Sequence, residues 1–150
     1  MAFPSIHGRA GPPPAYHVAM PKRHIILFAH GARDPEWARP LEAMRERVAA
    51  LAPECTVSLS FLEFMTPSLI EAVSASVGQG AASVTIVPVF LAQGGHLKRD
   101  LPLMVAQLRT AHPALAIDVL PAIGEQPAVI DAIAHCVADV AKVARAARAS

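Results

Sequence analysis

From residue 23 onward, short apolar runs alternate with stretches whose apolar residues recur every three or four positions. The recurring stretches are typical of helices with one buried face, and the short runs are typical of buried strands. The order βαβαβαβα predicts an α/β domain over residues 23–150, with an open four-stranded parallel sheet flanked by helices on both faces. A flavodoxin-like half domain with strand order 2-1-3-4 is expected. The predicted strands are 24–29, 55–64, 83–91 and 114–123.

Helix beginnings are predicted from residues that cap helices. Asp34 followed by Pro35 predicts the first, because aspartate accepts a backbone N–H at the cap and proline suits the first turn. Thr66 with Pro67 predicts the second by the same reasoning, and Asp100 predicts the third. The residues expected on the buried helix faces are Trp37, Leu41, Met44, Val48 and Leu51, then Leu69, Ile70, Val73 and Val77, then Leu101, Met104, Val105 and Leu108, and finally Ile130, Ile133, Val137 and Val140.

Residues 1–22 differ in composition from the rest of the chain. They contain Pro-Pro-Pro and scattered glycine, and they show no hydrophobic period. This composition predicts a disordered N-terminal extension, and it lacks the long apolar core of a secretory signal. Because Met20 closely precedes the first predicted strand, a translation start at Met20 is an alternative.

Charge, hydropathy and cysteine content argue against several classes of partner. The net charge is +1 with neutral histidines, so no broad basic face for nucleic acid is expected. The apolar runs are much shorter than the roughly 18 residues of a membrane span. Cys55 and Cys136 are far apart and neither belongs to a CxxC motif, which favours reduced thiols and a cytoplasmic location.

Three side chains that can bind a metal ion or transfer a proton follow the first three predicted strands. These are His30, Glu63 and His96. Ligands of open α/β sheets bind beyond the carboxyl ends of the strands, and these residues converge there if strand one lies between strands two and three. Two imidazoles and a carboxylate suit a divalent metal ion such as Co²⁺, Fe²⁺, Ni²⁺ or Zn²⁺, and they also suit proton abstraction near neutral pH. The spacing alone does not separate these two roles.

Cations and glycines accompany these residues. Arg33, Lys98 and Arg99 are candidates to hold the carboxylates of an anionic substrate, although solvated charges at helix starts are an equal alternative. Gly94 and Gly95 are candidates for a loop that approaches a ligand closely. Apolar side chains near the strand ends are candidates to wall a pocket for a flat ring, although core packing accounts for most such residues: Phe61, Phe64, Met65, Phe90 and Leu91.

Several motifs resemble those of the small class II tetrapyrrole chelatases, the CbiX-like and SirB-like sirohydrochlorin cobaltochelatases and ferrochelatases. The matching segments are AHGARDPEW, FLEFMTPSLIEAV, VTIVPVFLAQGGHLKRDLP and PAIGEQPAVIDAI, in the family's order, within about residues 23–140. Ala32 departs from the family's usual HGS-R pattern because it lacks the serine hydroxyl.

The resemblance implies ATP-independent insertion of Co²⁺, or of Fe²⁺ or Ni²⁺, into sirohydrochlorin, on the way to cobalamin or siroheme. It implies that His30, His96 and Glu63 are the metal-binding and catalytic residues. It also implies a homodimer, because the short members of the family pair around one macrocycle while longer members carry two such domains in one chain.

Two other functions compete with metal insertion. A metal or tetrapyrrole carrier on the same fold would use the same residues without turnover. A phosphatase with His30 as nucleophile is disfavoured, because Ala29 stands where such enzymes have an arginine. No Walker-type phosphate loop is present in the sequence, so no nucleotide cofactor is expected.

Overall fold

One parallel sheet forms the centre of the protein. The computed structural model describes residues 21–148, apart from the side chains of His96 and of residues 143–148. The strand order β2-β1-β3-β4 confirms the expected fold class. The strands are β1 (Lys22–Ala29), β2 (Cys55–Phe61), β3 (Ala81–Pro88) and β4 (Ala116–Val119). The helices are α1 (Arg39–Leu51), α2 (Leu69–Gly78), α3 (Gly95–Ala111) and α4 (Pro127–Arg148), with 3₁₀ turns at Pro35–Ala38 and Ile123–Glu125.

The two faces of the sheet are buried against different helices. Successive strand residues point to opposite faces, so Ile26 and Phe28 of β1 join α2 and α3 in one apolar cluster. Leu27 and Ala29 join Leu41 of α1 in the other cluster. Helices therefore cover both faces, as the alternating pattern predicts.

Strands two and three end earlier than their apolar runs. The predicted end of strand two at residue 64 is wrong, since β2 ends at Phe61 and Phe64 has a positive φ of 63° that extended backbone does not allow. Strand three ends at Pro88 instead of residue 91. Glu63 therefore lies in the loop beyond β2, at the rim of the sheet.

Two of the predicted helix caps are wrong. Ser68, not Thr66, caps α2, because its hydroxyl accepts the N–H of Glu71 while the Glu71 carboxylate accepts the N–H of Ser68. Helix α3 begins at Gly95 with Gly94 as its cap, so Asp100 lies inside the helix. The expected cap at Asp34 is present, where it begins the 3₁₀ turn that leads into α1.

Helix α4 leaves its apolar face exposed. The positions expected to be buried have 44–69% of their surface exposed: Ile130, Ile133, Val137 and Val140. Among the described residues, neither core cluster includes a side chain of α4. The prediction of a buried face is therefore wrong for this helix within a single chain. No helix in the described part of the chain is both long and apolar enough to cross a membrane.

Candidate functional site

The carboxyl ends of β1 and β2 bring His30 and Glu63 together. The two strands pair in parallel up to Ala29 opposite Phe61. Beyond that point the backbones stay joined, since the N–H of Leu62 donates to the carbonyl of Ala29 at 2.9 Å and the N–H of Glu63 donates to that of His30 at 3.0 Å. The two side chains thus extend from neighbouring backbone segments that are fixed to each other.

Gly31 allows this close approach. Its φ is +91°, and a Cβ at this position would overlap the carbonyl oxygen of Glu63. Any other residue would therefore meet both backbone strain and a steric clash. The sequence reasoning did not assign Gly31 a role, although its place directly after the strand-end histidine was a usable signal.

The His30 and Glu63 side chains form an ion pair or hydrogen bond at the protein surface. His30 Nε2 lies 2.7 Å from Glu63 Oε1, and the side chains are 53% and 45% exposed. The pair is accessible to a ligand, and each member can accept a proton or bind a divalent metal ion. Of the three residues predicted to converge, the structure places these two in contact.

His96 is the second residue of α3, and its side chain lies outside the described residues. Its backbone follows the rim loop after β3, at the same end of the sheet as His30. Among the described side chains, no group of three or more His, Cys, Asp or Glu forms a cluster that could hold a metal ion. The third ligand expected from the sequence therefore stays a prediction.

The loop between β3 and α3 is held in place by Gly124. The N–H of Val89 donates to the carbonyl of Phe28 at 2.7 Å, and that of Gly124 donates to the carbonyl of Phe90 at 2.9 Å. A Cβ on Gly124 would overlap the backbone of Leu91. Gly124 therefore positions the loop that leads to His96, a role that the sequence reasoning missed and that the glycine in the IGEQ segment could have signalled.

The predicted cations line different grooves. The guanidinium of Arg33 lies 5.2 Å from the centre of the Phe64 ring, beside a groove of about 300 Å³. Lys98 lines a second groove of about 430 Å³ together with Arg109 and Asp118. Arg99 is exposed on α3, and a Cβ added to Gly94 or Gly95 would meet no atom within 4 Å, so neither glycine is required sterically.

The structure separates the apolar residues near the rim into core and surface. Phe61 is buried, and Phe90 packs edge-on against Phe28 with the ring centres 5.9 Å apart. Phe64 and Leu91 are 57% and 73% exposed. Of the five candidates for a pocket wall, these two are the large apolar side chains most available to a ligand.

Comparison with known proteins relates this fold to a family. The CbiX family model matches residues 24–140. A CbiX protein from Marinobacter aquaeolei superposes with a TM-score of 0.71 at 32% identity, over 80% of this chain and 98% of that one. SirB from Bacillus subtilis subspecies spizizenii, solved in complex with cobalt, superposes with a TM-score of 0.65 at 28% identity, over 79% of this chain and 51% of that one.

Curated relatives agree with these structures. The sirohydrochlorin cobaltochelatase of Methanopyrus kandleri is 37% identical over 81 residues, which are 54% of this chain and 57% of that protein. The chain thus spans little more than half the length of this relative. The matched region contains the whole sheet from His24 onward and both members of the surface pair. With this fold, this rim and these matches, the chain belongs to the CbiX family.

Proposed function

We propose that the protein inserts a divalent metal ion into sirohydrochlorin, with Co²⁺ as the first candidate and Fe²⁺ and Ni²⁺ as alternatives. The observation that carries this proposal is the exposed contact of 2.7 Å between His30 Nε2 and Glu63 Oε1. Family membership and the activities named for the relatives support it.

The geometry of the pair suits a metal that binds and then leaves. Metal–ligand bonds of about 2.0–2.2 Å place two neighbouring ligand atoms about 3.0–3.5 Å apart, so the pair must open by about 0.3–0.8 Å from its distance of 2.7 Å to accept a metal ion. Because both side chains are about half exposed, the ion is not enclosed. A weakly held ion can be passed on to the macrocycle.

Metal insertion also requires bases. The ring releases the protons of two pyrrole N–H groups as it takes up one divalent ion, so the charge balances without a nucleotide. In this proposal His30 accepts a pyrrole proton, and Glu63 orients the imidazole and carries the proton onward. His96 acts as the second histidine, and Arg33, Lys98 and Arg99 meet substrate carboxylates.

An insertion assay tests the proposal. Sirohydrochlorin is mixed with Co²⁺, Fe²⁺ or Ni²⁺ in parallel, without nucleotide, and the absorbance of the macrocycle is followed. We expect insertion well above the rate without protein for at least one metal. Rates equal to the protein-free control for all three would refute the proposal.

The carrier hypothesis is the alternative, because a surface His-Glu pair can also bind without turnover. It predicts at most one metallated macrocycle per binding site. Many turnovers at substoichiometric protein would exclude it, and a stoichiometric plateau would favour it.

We infer that the protein works as a homodimer joined through α4. The helix exposes to solvent an apolar face of Ile130, Ile133, Val137 and Val140. Exposure of such a face to water is unfavourable in free energy for an isolated chain. The chain also corresponds to about half of the SirB chain. A second copy of this chain is therefore the occupant we expect on this face.

Charge placed on α4 tests the dimer. Val137→Glu puts a carboxylate on the apolar face, and His135→Glu puts one on the opposite face of the same helix as a matched control. We expect analytical ultracentrifugation to find dimers for the wild type and for His135→Glu, and monomers for Val137→Glu. Monomers for the wild-type protein at micromolar concentration would contradict the inference.

The cellular setting is also part of the proposal. Cys55 and Cys136 are free thiols, which is consistent with the reducing cytoplasm. The low net charge favours a small-molecule substrate over nucleic acid.

A further inference from the structure

Phe64 holds an exposed ring on a backbone conformation that phenylalanine rarely adopts. Its φ is 63°, and the N–H of Met65 donates to the carbonyl of Glu63 at 2.8 Å, which closes a γ-turn centred on Phe64. Turns of this hand are rare and strained, and glycine would adopt this backbone more easily. The ring gains little from burial, because the residue is 57% exposed. Neither local folding nor core packing accounts for an aromatic residue here.

Arg33 lies over this ring. The distance of 5.2 Å from the guanidinium carbon to the ring centre is within the range of a cation–π contact. A guanidinium held over an aromatic ring by this attraction still has N–H groups that can donate to a carboxylate. Phe64 therefore holds Arg33 in a geometry suited to an acidic group.

The two side chains border one groove. Its volume is about 300 Å³, which is smaller than a tetrapyrrole needs, so it can take one edge of such a ring. Phe64 directly follows Glu63 in the sequence, so the groove borders the same loop that carries the carboxylate of the His30–Glu63 pair. The residues that line the groove are Ala32, Arg33, Pro35, Phe64, Met65 and Thr66.

We propose that Phe64 is a substrate-binding residue: its ring packs against the flat tetrapyrrole, and it holds Arg33 against a carboxylate at the edge of the macrocycle. The inference rests on the proposed function of the His30–Glu63 pair. It goes beyond that function by naming the surface that orients the macrocycle over the pair.

Three substitutions test the role of the ring. Phe64→Leu keeps an apolar side chain, Phe64→Gly removes the ring and relieves the strained φ, and Phe64→Tyr keeps the ring. Stacking on an aromatic side chain is worth roughly tenfold or more in binding. We expect KM for sirohydrochlorin to rise about tenfold for the Leu and Gly variants and to stay within about twofold for Tyr. Because the pair itself is untouched, kcat should stay within about threefold for all three.

Leu103→Ala is the matched control. It removes an exposed apolar side chain from α3, where Leu103 is 64% exposed, and it should leave KM unchanged. Denaturant unfolding of each variant checks that a raised KM does not come from a loss of folded protein. Because Phe64→Gly is expected to fold at least as well as the wild type, the test does not depend on a destabilised chain.

The possible outcomes separate this inference from the proposed function. A wild-type KM in both the Leu and Gly variants overturns the role of Phe64, and so does a loss confined to kcat. If the wild-type protein neither binds nor metallates sirohydrochlorin, the proposed function fails and this inference fails with it.

Discussion

Two histidines near the ends of β1 have opposite surroundings. His24, near the start of the strand, is 2% exposed, and its buried Nε2 has no hydrogen-bond partner among the residues that the structure describes. Burial lowers the pKa of His24, and the positive charge of Lys22 lowers it further. His30, directly after the strand, is half exposed and contacts Glu63 at 2.7 Å.

The difference follows from position along the strand. Because side chains alternate along a strand, His24 lies on the same face of the sheet as Ile26 and Phe28. Helices α2 and α3 cover this face, so the imidazole of His24 is buried in the core. His30 lies where the ladder ends and the neighbouring strand also ends. The comparison teaches that position at the carboxyl end of the strand, rather than the residue type, decides which histidine is accessible to a ligand.

The sharpest test of the comparison replaces each histidine in turn. We expect His30→Ala to lower the rate of metal insertion by about 100-fold or more, since in the proposed function it removes both a metal ligand and a base. His96→Ala should have a similar effect. His24→Leu should keep a near wild-type rate, and unfolding curves should show that all three variants fold. Near wild-type insertion by both His30→Ala and His96→Ala would contradict the site assignment.

The next largest effect is expected at Glu63. Glu63→Gln keeps the shape of the side chain but removes its charge, so it no longer orients His30 as a carboxylate does. We expect a loss of about 10–100-fold in activity with little change in stability. Glu46→Gln, an exposed glutamate on α1, is the matched control. Equal rates for the two variants would mean that the contact with His30 has no role in turnover.

Gly31→Ala tests the backbone that joins the two side chains. The added Cβ would overlap the carbonyl of Glu63 and the residue would keep a positive φ, so we expect a loss of about 1–3 kcal/mol in the free energy of unfolding. Gly78→Ala is the control, because a Cβ there meets nothing within 4 Å and no positive φ is required. Urea unfolding measures both, and equal stabilities would show that the rim tolerates a side chain at residue 31.

The smallest effect concerns pH and His24. Because the folded state lowers the pKa of His24 below its ordinary value of 6.5, the unfolded chain binds more protons between the lowered and the ordinary pKa. The contribution of His24 to stability is therefore complete above about pH 6.5 and is lost as the pH falls through the lowered pKa. Urea unfolding between pH 5 and 8 should show a shallower decline at low pH for His24→Leu than for the wild type. The same slope in both proteins would assign the decline to other groups.

The fold was largely predictable because its signals are local. Each strand is an apolar run and each helix a periodic stripe, and both patterns depend on residues that are close in sequence. One kind of error arises where local signals compete. At the start of α2, Thr66-Pro67 resembles a cap, but the Ser68–Glu71 capping box satisfies more backbone groups.

The candidate site was predictable only in part. His30 and Glu63 were expected at one sheet edge because parallel strands end together, and they lie in contact. The cation–π contact between Arg33 and Phe64 was not expected. Phenylalanine rarely adopts a left-handed backbone, so nothing in the sequence indicated the positive φ of Phe64.

The sequence by itself determined the order of the elements, the two faces of the sheet and the rim on which the reactive side chains lie. Only the tertiary structure decided the close backbone contacts at Gly31 and Gly124, the γ-turn at Phe64 and the exposure of the apolar face of α4. The physical reason is the distance along the sequence over which each kind of signal acts. Periodicity reports which face of an element is apolar, whereas contacts between distant segments, and the partner that covers an apolar face, depend on how whole elements pack.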